Sequence, residues 1–245
     1  MNASPLPWMT LADWLGLASF FALWTGYTIF ADISPARHRS IATLMASRRR
    51  AWFMEATRRD LRIVDANILG NLLQGVSFFS STTIFVIGGL MAMLGVTETV
   101  AHAIGRLPFA ENGSIDALES KICFLLAIFV YAFFKFSWAF RLANYCSITV
   151  GALGPAADAD SERSRCIAET AAVLSSRSGH HFNRGLRAYF FALGALGWMV
   201  NPLLLTAVTA GVVVTLYRRE FHSLALQSLS HLNAIDPAPP TRPGQ

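Results

Sequence analysis

Four runs of this chain constrain its fold more than any other feature: residues 10–30, 71–96, 122–142 and 189–217 are long, apolar and almost free of charge. A helix needs about 20 predominantly apolar residues to cross a hydrocarbon layer of about 30 Å, and each run supplies that length. No water is present in that layer to satisfy loose backbone groups, so such runs cross it as helices. The expected fold is therefore all-α, a polytopic transmembrane helical bundle of four spans. Composition agrees, with 53% hydrophobic and 14% charged residues and a mean hydropathy of +0.43, away from soluble usage.

The residues before the first run carry no Lys or Arg. A secretory signal has a basic segment there and a shorter apolar core, so the run is read as a retained first helix. The segment 32–66 holds Arg37, Arg39, Arg48, Arg49, Arg50, Arg58, Arg59 and Arg62. The next loop has Arg106 against Glu98, Glu111, Asp116 and Glu119, and the third returns to Arg163, Arg165, Arg177, Arg184 and Arg187. Excess Lys and Arg mark cytoplasmic loops, so this alternation predicts a bacterial inner-membrane protein with both termini outside. Arg218 and Arg219, after the last run, fall on the outer side in that scheme and run against the rule.

The net charge of +5 is thus accounted for by topology, and nucleic acid is not an expected partner. Cys123, Cys146 and Cys166 have no paired spacing, so neither a disulfide framework nor a zinc site is expected, and no cofactor is implied. Within 32–66, Ile41, Leu44, Met45, Trp52 and Ala56 recur at near-helical spacing among the arginines. This predicts an additional amphipathic cytoplasmic or interfacial helix, with Arg48, Arg49 and Arg50 facing anionic phospholipid headgroups. A solvated extension of the second span is the alternative. Residues 1–221 form one expected membrane domain, and 222–245 read as a polar, Pro-rich, disordered tail.

Lys135 lies inside the third run. Counted from Lys121 it is about 21 Å along a helix, hence about 9 Å from the far edge of the hydrocarbon. An ammonium there costs on the order of 2.5–3.5 kcal/mol on insertion scales. On the second run Asn67, Asn71, Gln74 and Ser81 share one helical face, with Asn71 and Gln74 at about the depth of Lys135. A ligand or ion site is therefore expected from Lys135, Asn71 and Gln74, with Asp65 as counter-ion below and Asn201 from the fourth run. The alternative stays open: a lysine snorkels about 6 Å toward water, and amides within spans hold helices together.

Other features say less. Asp158, Asp160 and Glu162 lack the glycine and the terminal glutamate of a calcium loop, which leaves an acidic turn. His180 and His181 are adjacent and point apart. The fourth run is about 43 Å long as a helix, so Asn201-Pro202 within it is expected to kink it, with the Trp198 carbonyl losing its donor. Gly194, Ala195 and Gly197 form a small-residue patch expected to pack within the chain rather than mark a dimer. No metalloprotease, serine-hydrolase or phosphate-loop motif occurs, and catalysis is not expected.

Arg59-Asp60-Leu61-Arg62-Ile63-Val64-Asp65, Asn67-Ile68-Leu69-Gly70-Asn71 and Phe78-Phe79-Ser80-Ser81-Thr82 form one block of motifs. Phe134-Lys135-Phe136-Ser137-Trp138 with Arg141, and Phe182-Asn183-Arg184-Gly185-Leu186-Arg187, follow. Trp198, Asn201-Pro202 and Leu216-Tyr217-Arg218-Arg219-Glu220-Phe221 close the set. In these the chain resembles the domain of unknown function 599 family of small multi-pass membrane proteins. Ser80 departs from the alanine usual there. The resemblance implies fold and location and carries no activity. It adds weight to Phe134–Trp138 as a unit, and Arg184 and Arg187 are expected to meet lipid phosphates or the acidic Asp65 region at the inner interface.

Two functions follow. One is an ion or small-anion channel or transporter-like protein, with Lys135, Asn71, Gln74 and Asn201 lining a polar route. Four spans without an internal repeat would then require a homo-oligomer. The other is a non-catalytic membrane accessory or scaffold protein whose arginines bind anionic lipid or a larger complex.

Overall fold

A computed structural model describes residues 8–106 and 114–236. Eight α-helices, α1 (Leu11–Asp32), α2 (Ile41–Ala56), α3 (Ile63–Leu94), α4 (Thr97–Ile104), α5 (Ile115–Gly151), α6 (Glu162–Trp198), α7 (Pro202–Phe221) and α8 (Leu224–Ile235), and two short 3-10 helices, Pro35–Arg39 and Ala156–Asp158, account for the regular structure among them. The chain is all-α, as expected. Among the described residues three helices, α1, α3 and α5, rather than the four spans expected, are long and apolar enough to cross a membrane.

Two compact units divide the chain, residues 1–34, 81–133 and 185–217 in the first and 35–80, 134–184 and 218–245 in the second. Within the stretch 1–221 expected as one membrane domain, α3, α5, α6 and α7 each contribute one part to each unit. The prolines beyond Asp236 lie outside the described residues. The start of the expected disordered tail is instead helix α8, capped by the Ser223 hydroxyl, which accepts from the Leu226 amide at 3.2 Å.

In the first unit, α1 begins with a capping box. The Thr10 hydroxyl accepts from the Asp13 amide at 3.2 Å, and the Asp13 carboxylate accepts from the Thr10 amide at 3.0 Å, which satisfies orphan donors at the helix start. The other oxygen of that carboxylate accepts from the Trp198 indole at 2.8 Å, and the Lys121 ammonium lies 5.5 Å from the centre of the Trp198 ring. Asp13 is buried and the first run's lone acid, so its carboxylate is satisfied at the helix end instead of being exposed to lipid.

The run 189–217 is not one kinked helix. It reverses at residues 199–201. Asn201 precedes α7 and its side-chain oxygen accepts from the Leu204 amide at 2.8 Å, while Pro202 occupies the first helical position. Proline there gives up only an N–H that has no helical partner, and an amide cap satisfies another. The same dipeptide that kinks a helix interior therefore starts a new helix when the chain turns before it.

The turn brings α7 back along α6. A Cβ on Gly197 would stand 2.9 Å from the Leu204 carbonyl oxygen, and one on Gly194 would collide with the Thr209 hydroxyl. The small-residue patch does pack within the chain, as expected. Gly16 abuts Pro202 and Leu205, Ser19 and Thr206 share a 2.8 Å hydrogen bond, and the rings of Phe30 and Tyr217 are 5.9 Å apart. Hence α7 runs parallel to α1 and antiparallel to α6. At the end of α1 distant from this turn, Arg187 of α6 donates to Asp32 at 2.8 Å and lies over Tyr27.

In the second unit, the first part of α6 packs antiparallel on the last part of α5. The Ser178 hydroxyl donates to the Ala139 carbonyl at 2.7 Å and the Cys146 thiol to that of Ala171 at 3.4 Å. Phe53 of α2, Leu69 of α3, Cys146 and Val150 of α5, and Ala168, Ala171 and Ala172 of α6 form one core. The alanines let the helices approach closely. Arg62 closes the base, donating to the carbonyls of Ala56, Leu153 and Gly154.

Candidate functional site

The arginines of α2 set the electrostatics of the second unit. Three consecutive positions on a helix point about 100° apart, so Arg48, Arg49 and Arg50 diverge. Arg48 pairs with Asp236 at 2.9 Å and donates to Asn233 of α8 at 3.1 Å, and Arg50 pairs with Glu169 of α6 at 3.0 Å. Both side chains are largely buried. The expectation that these two face lipid is corrected by those pairs, as is that for Arg187, which is turned inward to Asp32. A cation beside a carboxylate of its own chain recovers more than one left to snorkel.

Arg49 has no carboxylate partner among the described residues. Its guanidinium lies against the backbone of α6 at Gly179, where an added Cβ would stand 3.0 Å from Nη2. Burial lowers its pKa from the ordinary arginine value, although arginine stays protonated.

Between α2 and α6 runs a cavity of about 990 Å³ lined by Arg37, Thr43, Ser47, Arg50, Glu162, Glu169, Arg177, His180 and His181. One end carries the acids, with Glu169 held by Arg50. The other end is cationic. His181 is pushed down to about 4 by burial first, then by the charges of Lys135, His180, Arg184 and Arg177. It is neutral at physiological pH, its Nδ1 is buried, and that atom has no hydrogen-bond partner among the described residues.

The structure distributes the expected site residues. Lys135 belongs to the second unit, beside His181 and Arg184. Asp65 is fully buried and does not wait for Lys135: one of its oxygens accepts from the Trp52 indole and from Arg59, each at 2.6 Å. Asn71 lines a smaller cavity with Arg49. Gln74 is exposed. Asn201 caps α7 in the first unit.

Sequence reasoning missed His181 and Glu169. The signal for Glu169 is helical spacing, since Glu162, Glu169, Arg177 and His180 fall near multiples of 3.6 along α6; His181 lies one position off that row, and nothing in the sequence alone tells which face α2 covers. It also missed Arg141, whose guanidinium lies over the Trp138 and Tyr145 rings and donates to the Tyr145 hydroxyl at 2.6 Å. Exposed Trp and Tyr beside an arginine mark a membrane–water boundary. From Lys121 to Arg141 the helix rises about 30 Å, the thickness of the hydrocarbon core.

Helices of this length and apolarity, with polar clusters gathered at their ends, define a multi-span helical membrane protein. Residues 15–225 match the family model described as protein of unknown function, DUF599, and the chain belongs to that family. No curated protein and no solved structure matches it.

Proposed function

We propose that this is a non-catalytic membrane accessory protein that binds the phosphorylated headgroup of an anionic lipid in the cavity between α2 and α6. The observation that carries the reading is His181, a neutral imidazole with an orphaned, buried Nδ1 among Lys135, Arg177, Arg184 and His180. A buried nitrogen without a partner costs about 1–3 kcal/mol, and the positive charges of Lys135, Arg184 and Arg177 around it oppose one another. A phosphate group relieves both, because it brings acceptor oxygens and negative charge. The aromatic belt at Trp138 and Tyr145 is consistent with this cavity opening at headgroup level.

Short-chain phosphatidylglycerol should therefore raise the melting temperature of the purified protein well above the effect of short-chain phosphatidylcholine. Arg177→Gln combined with His181→Gln should weaken that preference about tenfold, the worth of one charge-assisted hydrogen bond. The sign of the pH dependence is fixed. Free, His181 takes up a proton only near pH 4; a phosphate beside it stabilises the imidazolium and raises that value. Headgroup affinity should thus increase as pH falls from about 6.5, the ordinary histidine value, toward 4. Equal melting shifts for the two lipids would sink the proposal. Anion flux in liposomes abolished by Lys135→Met would favour conduction instead.

Topology belongs to the same reading. If α6 beyond Gly185, about 20 Å of helix, crosses a locally thinned hydrocarbon layer and α7 crosses it again, there are five crossings rather than four, with the N-terminus outside and the C-terminus inside. Arg218 and Arg219 then lie on the cytoplasmic side with the other basic segments, which removes the conflict with the positive-inside rule. A fluorescent protein fused after Gln245 should glow in the cytoplasm, and alkaline phosphatase fused there should be inactive. The reverse pattern would restore the four-span scheme.

A further inference from the structure

A second cavity, of about 180 Å³, lies within the second unit and is lined by Arg49 of α2, Leu69, Asn71, Leu72, Gly75 and Val76 of α3, Ala143 and Cys146 of α5, and Ser175, Ser178, Gly179 and Phe182 of α6. It shares no lining residue with the headgroup cavity. The Ser178 hydroxyl and the Cys146 thiol already donate to carbonyls of α5 and α6. That leaves the Arg49 guanidinium as the principal polar group, with the Asn71 amide at the rim and apolar walls behind.

We propose that this cavity binds a carboxylate with a short apolar body, its two oxygens held by the Arg49 guanidinium. Each part of the ligand follows from the walls. A planar guanidinium presents paired N–H groups that match a carboxylate. One cation, with no carboxylate partner among the described residues, calls for a monoanion rather than a phosphate dianion. Leu69, Val76, Ala143 and Phe182 call for hydrocarbon. A cavity of about 150 Å³ holds a benzene ring, so four or so carbons fill this one. The purpose of Gly179 then becomes clear, since any side chain there would push the guanidinium from its seat against α6.

The energetics separate this from a structural arginine. A buried charge that completes the fold is costly to remove, whereas one awaiting a ligand is a strain that an apolar replacement relieves. Burial that disfavours the charged form of Arg49 fits the second case.

The test is thermal unfolding of the full chain in detergent with acetate, propionate and butyrate against butyramide, sodium phosphate and chloride at equal ionic strength. The acids should stabilise saturably, and affinity should tighten about fourfold per added methylene. Butyramide should do neither, and any stabilisation by phosphate should survive Arg49→Met, because it arises in the headgroup cavity. Arg49→Met should abolish the response while melting no lower than the wild type. Gly179→Ala meets only the mobile end of Arg49 and should fold normally with affinity lowered at least about tenfold. Arg177→Gln should leave butyrate binding unchanged, so failure here and failure of the headgroup reading are read separately. A response to palmitate in vesicles but not to butyrate would overturn the proposal, because that chain is far longer than the cavity holds. Equal responses to butyramide and butyrate, an undiminished response in Gly179→Ala, or a marked loss of stability in Arg49→Met would overturn the proposal.

Discussion

Replacing Asp32 with alanine is expected to cost about 3–5 kcal/mol of stability, the usual penalty for stranding one member of a buried ion pair. The Asp32 and Arg187 side chains retain only 5% and 10% of their exposure and meet at 2.8 Å. Without Asp32 the guanidinium keeps only the Tyr27 ring, 5.6 Å from its centre, and a cation over a ring recovers about 2 kcal/mol at best. The pair of substitutions Asp32→Leu and Arg187→Met should recover most of the loss, because an apolar pair of similar volume removes both desolvation penalties. Denaturant unfolding of the three proteins in detergent checks this, and a single substitution within about 0.5 kcal/mol of wild type would show that water reaches the pair. The pair joins α1 to α6 close to where α6 enters its apolar half, so its loss should also loosen the packing of α7.

Asp65→Ala should rank second, at about 2–3 kcal/mol. The carboxylate is fully buried and draws Trp52 and Arg59 together, so its removal leaves an indole N–H without an acceptor and α2 without its tie to α3. The penalty is smaller than at Asp32 because the Arg59 side chain is 38% exposed and turns to water when released. Trp52 also stacks on Phe53 of the core, ring centres 4.4 Å apart. A red shift of tryptophan emission should therefore accompany the loss of stability. Destabilisation without that shift would mean that the indole keeps its seat and that the cost lies elsewhere. Asp65→Asn should fall between the two, since an amide oxygen still accepts from Trp52 but carries no charge for Arg59.

These two sites show why some of the structure was legible in the sequence and some was not. Asp65 was visible as an acid beside a polar helical face, yet its partner was assigned to Lys135 on the strength of depth along separate helices. Depth places residues at a level and leaves their azimuth open, and Arg59, only six positions away, was the partner with the shorter reach. His181 was read only as pointing away from His180, although burial and the charges around it, Lys135 of α5 first among them, decide its chemistry. The arginine run 48–50 was legible as charge, but which arginine keeps a carboxylate depends on Glu169 and Asp236, more than a hundred positions further on.

By itself the sequence determined the all-α class, the apolar helices and the membrane setting, because hydrophobic length and helical periodicity are local properties that the bilayer imposes on any chain. It also determined that the glycines near 194 face another helix. Only the tertiary structure decided that Asn201-Pro202 starts a returning helix rather than kinking a continuous one, since capping and kinking use the same residues and differ in whether the preceding backbone turns. It alone decided which carboxylates Arg48 and Arg50 meet. Those outcomes rest on contacts between helices distant in sequence, and their free energies exist only once the helices have packed.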